Sequence, residues 1–275
     1  MNPKLKSFLV WLLAFIVTLA AAYYQRTTGP TYEIRGKVAI EGVTYKYKLI
    51  RTYDGSDDAP IEISITDPDV TGALKLRRYK SHDEWSTAAM ERRGDNLIGY
   101  IPHQDMAGKV MYQVMLMKNG NSYLLNEEPA IIRFKGFVPR GILFFHIMTI
   151  FLAMLFSTRT AFEVLFKLNY TYLYTWLTVA LLAVGGMILG PVVQKYAFDA
   201  YWTGWPFGHD LTDNKSLLAF IFWIVALVYQ IWRRERKGWA VVAAVVLFVV
   251  YLIPHSVLGS EIDYTQEGQS TETQN

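Results

Sequence analysis

Long apolar stretches separated by a polar region constrain this chain more than any other feature. One stretch lies within residues 1–24, and four more lie at 141–157, 170–192, 217–232 and 239–257. The last four hold 16–23 residues each, enough to cross or nearly cross the hydrocarbon core of a bilayer, which is about 30 Å thick. The sequence therefore predicts a four-helix membrane bundle over residues 140–257, preceded by an N-terminal membrane segment.

The polar part of the chain lies between these stretches. Hydrophobic residues make up 52% of the chain, charged residues 19%, and the mean hydropathy is +0.16. Residues 31–138 contain 15 Lys and Arg against 15 Asp and Glu, a balance that argues against nucleic-acid binding. Cysteine is absent, which excludes disulfides, thiolate metal sites and a cysteine nucleophile.

Residues 1–24 resemble both a signal-anchor and a cleavable signal peptide in their pattern. Lys4 and Lys6 precede an apolar run that ends at Tyr24, and this order directs the following residues across a membrane. The small residues Ala20, Ala21 and Ala22 would also permit cleavage. We favour the uncleaved anchor, because the whole run reaches the lower limit for a spanning helix.

Residues 31–138 show the period-two alternation of half-buried strands. Val38 and Ile40 face one way while Arg35 and Lys37 face the other, before a tight turn at 41–42, and a second alternating run follows. Seven or eight such runs predict an exported antiparallel β-sandwich of immunoglobulin or fibronectin type. Trp85 is the expected large core residue.

The basic connections between the apolar stretches predict the topology. Arg159 and Lys167 fall in a predicted connection at 158–169, and the most basic stretch is 233–237, so both belong in the cytoplasm. The N-terminus is then cytoplasmic, while residues 31–138 and the C-terminus are extracytoplasmic, in a bacterial inner membrane. The acidic tail at 258–275 contains no Lys or Arg and is predicted to be disordered.

Two further features concern the spans themselves. Gly186 and Gly190, four residues apart, predict that another helix approaches closely. No charged residue lies near the middle of any predicted span, which argues against a proton-coupled or ion-coupled transporter.

The stretch between the second and third spans of the bundle is rich in aromatic and polar side chains. We predict that it forms an interfacial loop at the outer membrane surface, because aromatic residues concentrate at that depth. The residues assigned to this loop are Tyr201, Trp202, Trp205, Phe207, Asp213 and Lys215. Asp210 or Thr212 can cap the next helix, Asp213 suits its first turn, and Lys215 can extend to the lipid head groups.

Three histidines fall near the outer face in this topology. His146, His209 and His255, with Asp210 beside the second, could converge to bind zinc or copper. His146 and His255 could instead ligate haem b. A purely structural role, such as a hydrogen bond from His146 to a neighbouring helix, is favoured because the three histidines lack the spacing of a ligand motif.

Two classes of function follow from these expectations. The first is an integral membrane protein whose extracytoplasmic β-sandwich binds a protein partner or substrate, with the bundle as anchor or scaffold. The second is a membrane-embedded metal or haem protein with its site at the outer face. No catalytic motif is present in the sequence, and enzymatic activity stays undecided at this level.

Overall fold

The computed structural model describes residues 2–254, 259 and 261–266 and contains two compact units. A helical unit is formed by Met1–Pro30 and Val138–Gly259, and a β unit by Thr31–Phe137 and Ser260–Asn275. The fold thus combines apolar helices with antiparallel and mixed sheets.

The helical unit contains five helical spans in the part of the chain that the structure describes. They are α1 (Pro3–Thr28), α2 (Arg140–Leu165), α3 (Thr171–Leu182) continuing through a π-helical segment (Ala183–Leu189) into α4 (Gly190–Phe198), α5 (Leu211–Trp232) and α6 (Gly238–Leu252). Four of these spans are long and apolar enough to cross a membrane, namely α1, α2, the continuous Thr171–Phe198 and α5. The fifth, α6, has 15 residues and a length of about 22 Å, since a helix rises about 1.5 Å per residue.

Neighbouring spans run antiparallel. Trp11 packs against Phe156, and Phe15 packs against Phe151. Residue numbers therefore rise along α1 in the direction in which they fall along α2, so the two helices are antiparallel. At the end of the unit where α1 starts, Lys6 donates to the backbone oxygen of Phe166 over 2.9 Å. The Tyr229 and Trp239 rings stack where α5 ends and α6 begins. We call the end where α1 starts the near end and the opposite end the far end.

The side chains that the spans turn outward are apolar. Phe8 of α1 is 62% exposed and Phe145 of α2 is 61% exposed, and many other Leu, Ile and Val side chains are exposed as well. The inner faces instead hold small residues, such as Ala153 and Ala243, around the buried Trp223. A surface of this kind needs apolar surroundings, because water would not solvate it favourably.

The close approach between helices occurs one residue earlier than the Gly186 and Gly190 spacing predicts. A side chain at Gly185 would lie 2.6 Å from the Thr149 hydroxyl of α2, whereas Gly186 has only ordinary contacts around it. The π-helical geometry advances the chain by more residues per turn and so shifts which glycine faces α2.

The described residues of the β unit form eleven strands. They are β1 (Ile34–Ile40), β2 (Val43–Leu49), β3 (Thr52–Tyr53), β4 (Ala59–Ser64), β5 (Thr71–Arg78), β6 (Ser86–Ala89), β7 (Glu91–Arg93), β8 (Asn96–Ile101), β9 (Lys109–Lys118), β10 (Asn121–Leu124) and β11 (Ala130–Phe134). β1 and β2 form a two-stranded sheet, and β4, β8 and β7 form a three-stranded one in that order. The largest sheet has the order β3-β11-β9-β5-β6, with β10 also paired to β9.

The first hairpin follows from its turn residues. Glu41 and Gly42 both have positive φ, 48° and 86°, which is the two-residue turn that matches the twist of antiparallel strands. β1 and β2 therefore pair in the register Ile40 with Val43 through Ile34 with Leu49.

One core joins the three sheets. Leu49 of β2, Ile61 of β4, Leu97 of β8 and Val114 of β9 are all buried in it. The pairing of β3 with β11 is parallel, while the other strand pairs are antiparallel among the described residues. The immunoglobulin or fibronectin type of the arrangement stays a prediction.

The expectation for Trp85 is wrong. Its side chain is half-buried beside β5, where the charged groups of Lys75 and Arg77 each lie 5.2 Å from its ring. The buried aromatic residues of the core are Tyr45, Tyr112 and Phe134 instead. Trp85 lies in the segment between β5 and β6, where two cationic side chains cover it and no inward strand position is available.

Part of the acidic tail also departs from the prediction of disorder. Glu261 forms ion pairs with Lys80 and Lys109, and the Tyr264 hydroxyl lies 3.1 Å from the Gln104 side-chain oxygen. The Arg78 guanidinium lies 4.4 Å from the centre of the Tyr264 ring. Residues 261–266 thus pack on the β unit, because cationic and aromatic partners far away in the sequence offset the loss of chain entropy. Residues 267–275 lie outside the described residues.

Candidate functional site

A buried carboxylate organises the loop between α4 and α5. Asp213, in the first turn of α5, accepts hydrogen bonds from the Thr203 backbone nitrogen at 2.7 Å and from the Gln194 side chain at 3.1 Å. Gly204 fits beside it because a side chain there would lie 2.6 Å from the Asp213 β-carbon. Asp213 therefore links the end of α4, the loop and the start of α5.

Two neighbouring side chains complete the loop. Asp210 caps α5, with its Oδ1 accepting from the Thr212 backbone nitrogen at 2.7 Å. Asn214 accepts from the Trp205 backbone nitrogen at 2.6 Å, and the Trp202 indole donates to the Trp205 backbone oxygen at 3.0 Å. The bond to Asp210 satisfies a free backbone donor at the start of α5. The two bonds to Trp205 hold the loop in one conformation.

The loop presents its aromatic residues outward. Trp205 is 68% exposed and Phe207 is 83% exposed, while Tyr201 is exposed and Trp202 is partly buried. Rigid exposed aromatic rings are what an interfacial anchor requires. The role of this loop at a membrane surface stays a prediction.

Lys215 does not extend outward to lipid head groups as expected. Its side chain is 5% exposed, and its ammonium group donates to the backbone oxygens of Ile253 at 2.7 Å and Pro254 at 3.4 Å. α6 ends at Leu252, since Pro254 disfavours helix at the residue before it. The carbonyls at this helix end have no helical donor, and Lys215 donates to that of the C-cap Ile253 and to the next one along the chain.

The predicted histidine site is described only in part. His146 Nδ1 lies 2.9 Å from the Gly185 backbone oxygen in the π-helical segment, His209 is exposed on the loop, and Asp210 is engaged as the cap. His255 lies outside the described residues. Within the described part of the chain, no group of three or more His, Asp or Glu could hold a metal ion. The zinc, copper and haem b sites stay predictions.

A buried ion pair is the feature that the sequence reasoning missed. The expected cytoplasmic connection at 158–169 is helical as far as Leu165, so Arg159 lies on α2 and not in a loop. Arg159 and Glu163 are both 0% exposed and paired over 2.6 Å. Their spacing of four residues on one helix could have revealed the pair, because it allows direct side-chain contact.

Residues of α1 and residues in and just before α3 surround this pair. The Arg159 guanidinium lies 5.2 Å from the Trp11 ring centre and 5.6 Å from that of Tyr174, and it contacts the Ser7 hydroxyl at 3.2 Å. Its Nε and Nη1 have no hydrogen-bond partner among the described residues. Glu163 also accepts from the Tyr170 backbone nitrogen at 2.9 Å, which holds the start of α3. The pair thus joins α1, α2 and α3 at the near end.

The β unit carries an open cleft of about 890 Å³ between its first hairpin and β4. One wall is the polar face of β1 and β2, with the exposed Arg35, Lys37, Lys46 and Lys48. The opposite wall includes Glu62 of β4. The volume falls within the range of about 300–1,000 Å³ for ligand sites, so the cleft is a candidate binding surface.

Comparison with known proteins identifies no relative of this chain. No family model, no curated protein and no solved structure matches it.

Proposed function

We propose that this chain is an integral membrane protein that holds a binding domain, the β unit, outside the cytoplasm. The observation that carries this proposal is that the described residues combine four long apolar helices, whose apolar side chains face outward, with a β unit that has its own core. The binding role is supported by the open cationic cleft of the β unit.

Charge at the two ends of the helical unit supports the orientation. The near end carries Lys4, Lys6, Lys167, Arg233, Arg234, Arg236 and Lys237. The far end carries Arg26, Arg140, Lys195 and Lys215. Excess Lys and Arg in short connections marks the cytoplasmic side, so the near end faces the cytoplasm. Residues 31–137 and the C-terminal segment then lie on the other side.

Contacts of α1 favour retention of the N-terminal segment as an anchor. Trp11 packs against Phe156, and Ser7 contacts the buried Arg159 of α2. Cleavage after Ala22 would remove both contacts and expose Arg159. The aromatic loop with Trp205 and Phe207 lies at the far end, where it suits the outer membrane surface.

Cysteine labelling tests this topology directly, because the natural chain has no cysteine. Thr44 in β2 and Glu235 between α5 and α6 are both exposed, so each can carry a single introduced cysteine. An impermeant maleimide should label Thr44→Cys in intact cells or spheroplasts and Glu235→Cys only after permeabilisation. The reverse pattern would overturn the orientation.

Alkaline carbonate extraction tests the membrane assignment separately. An integral protein should stay in the membrane pellet, because its apolar spans cannot leave the bilayer without exposure to water. Recovery in the supernatant would contradict the proposal whatever the labelling shows.

A further inference from the structure

Cations of the first hairpin stand in directly opposite pairs. In the register of β1 and β2, Arg35 lies opposite Lys48 and Lys37 lies opposite Lys46. All four side chains are exposed, and each strand contributes alternate residues, so they share one face. Like charges directly opposite one another destabilise a strand pair. The hairpin therefore carries an unfavourable charge arrangement at the wall of the cleft.

Neutralisation of these cations within the chain is incomplete. Arg35 pairs with Glu33 over 2.6 Å, while Lys37, Lys46 and Lys48 form no ion pair in the part of the chain that the structure describes. Glu62 across the cleft is engaged by the Asn96 side chain at 2.5 Å. The hydrogen bond from Arg35 lowers the pKa of Glu33, and the charge of Lys48 lowers it further. The cleft wall thus keeps an excess of positive charge.

The spacing of the cations indicates the shape of a complementary ligand. Successive pairs are two residues apart on each strand, a repeat of about 6.6–6.8 Å. An extended peptide places the side chains of alternate residues on one side with the same repeat. Among the described residues, β1 pairs with β2 alone, so its second edge leaves main-chain groups for an added strand.

Stacking ligands fit this wall less well. The aromatic residue among those lining the cleft is Tyr47, and its hydroxyl donates to the Leu125 backbone oxygen on the core side. Single-stranded nucleic acids bind largely through aromatic platforms aimed at the bases. The wall instead offers regularly spaced charge, which suits carboxylates on a protein chain.

We propose that this cleft binds an extended acidic segment of a partner protein, with carboxylates at alternate residues facing Arg35, Lys37, Lys46 and Lys48. The inference rests on the β unit acting as a binding module, as proposed above, and it adds the chemical class of the partner. The attraction is between exposed charges, so binding weakens as ionic strength rises.

The test uses the full-length protein in detergent micelles and a fluorescent peptide of alternating glutamate and threonine. Fluorescence anisotropy should show saturable binding at low salt and weaker binding at high salt. The Lys46→Gln, Lys48→Gln double variant should bind about fivefold more weakly, as expected for two exposed charge contacts. Lys75→Gln, an exposed lysine of β5 outside the cleft, should leave the affinity unchanged.

Glu62→Gln provides a variant with the opposite expected sign. It removes a negative charge from the cleft while keeping an oxygen for Asn96, so affinity for the acidic peptide should rise about twofold. A peptide of the same composition with contiguous glutamates should bind more weakly than the alternating one, because fewer of its carboxylates match the register.

Three results would overturn the proposal. These are no binding at low salt, equal loss of binding in Lys75→Gln, and stronger cleft-dependent binding of polyphosphate or anionic vesicles than of the peptide. Labelling at Thr44 and Glu235 separates this inference from the proposed function. Correct topology without peptide binding removes only the acidic partner, whereas peptide binding with reversed topology removes only the extracytoplasmic location.

Discussion

The helical unit and the β unit place their charged groups in contrasting settings. In the helical unit, Arg159 and Glu163 lie on adjacent turns of one helix, and both side chains are fully buried. In the β unit, Glu261 joins Lys80 and Lys109, which are distant in sequence, and all three side chains keep some contact with solvent.

The two sets of ion pairs differ in how much free energy they contribute and in which part of the structure they stabilise. A fully buried pair loses its hydration, so either partner left alone is very unfavourable. A solvent-accessible pair gains little free energy, yet it can determine where a mobile segment binds. The buried pair should therefore determine whether the helical unit folds, whereas the Glu261 contacts should determine whether the tail docks.

The largest expected effect comes from breaking the buried pair. Arg159→Met leaves the Glu163 carboxylate buried without its cation and should lower the free energy of unfolding by about 3–5 kcal/mol. The Arg159→Met, Glu163→Leu double variant should be less destabilised than Arg159→Met alone, since no charge stays buried. Thermal unfolding of the detergent-solubilised protein, followed by tryptophan fluorescence, measures both.

The matched control is Lys195→Met, which removes the other pair of this spacing in the helical unit. Lys195 and Asp199 are much more exposed, so stability should hardly change. Equal losses in Arg159→Met and Lys195→Met would show that burial does not distinguish the two pairs.

An intermediate effect is expected at Asp213, a buried carboxylate held by neutral donors. Asp213→Ala leaves the Thr203 backbone nitrogen and the Gln194 amide without their acceptor, which should cost about 1.5–3 kcal/mol. Hydrogen exchange of the loop from Tyr201 to His209 should speed up as well. Asp210→Ala, which removes only the cap, should cost about 1 kcal/mol. Unchanged loop exchange in Asp213→Ala would contradict the assigned role.

The smallest expected effect is at Glu261, and it depends on pH. Burial raises the pKa of this carboxyl, but hydrogen bonds from Lys109 and Lys80 outweigh it, and the pKa lies below its ordinary value of 4.5. Because the folded pKa is depressed, the stabilisation is complete above about pH 4.5 and is lost as pH falls through the folded value. Hydrogen exchange of residues 261–266 should therefore speed up in acid.

Glu261→Gln tests the same contact at neutral pH. It should undock the tail with a loss of at most about 1 kcal/mol and remove the acid dependence of exchange. Glu33→Gln, which removes the ion pair with Arg35 and none of the tail contacts described above, should leave tail exchange as in the natural protein. Protection of the tail that persists in Glu261→Gln would show that Tyr264 alone secures it.

Structural features that depend on residues within one segment were predicted correctly from the sequence. The alternation in the first hairpin predicts that Val38 and Ile40 face one way, and the structure buries Ile40 and packs Val38 against the same core. Glu41 and Gly42 likewise form the predicted turn. Both results depend on neighbouring residues alone, which is the information that a sequence pattern contains.

Contacts between distant segments account for most of the differences. The helical extension to Leu165 is stabilised by Trp11 and Tyr174 around Arg159, and no local pattern identifies those partners. The target of Lys215 is the end of α6, and the partners of Glu261 lie just beyond β5 and on β9. The sequence correctly indicates charged residues near the helix ends, at Arg159 and Lys215. It does not indicate that their side chains are buried.

The docked tail has a consequence for how the protein is made. Residues 31–137 leave the ribosome early, yet Glu261 and Tyr264 emerge only after all five helical spans have been synthesised. In the proposed topology, the tail reaches the same compartment as residues 31–137 only if α6 has crossed the membrane. A chain with a misinserted last helix would keep an incomplete β unit, so protection of Tyr264 from exchange would report correct insertion of the whole polypeptide.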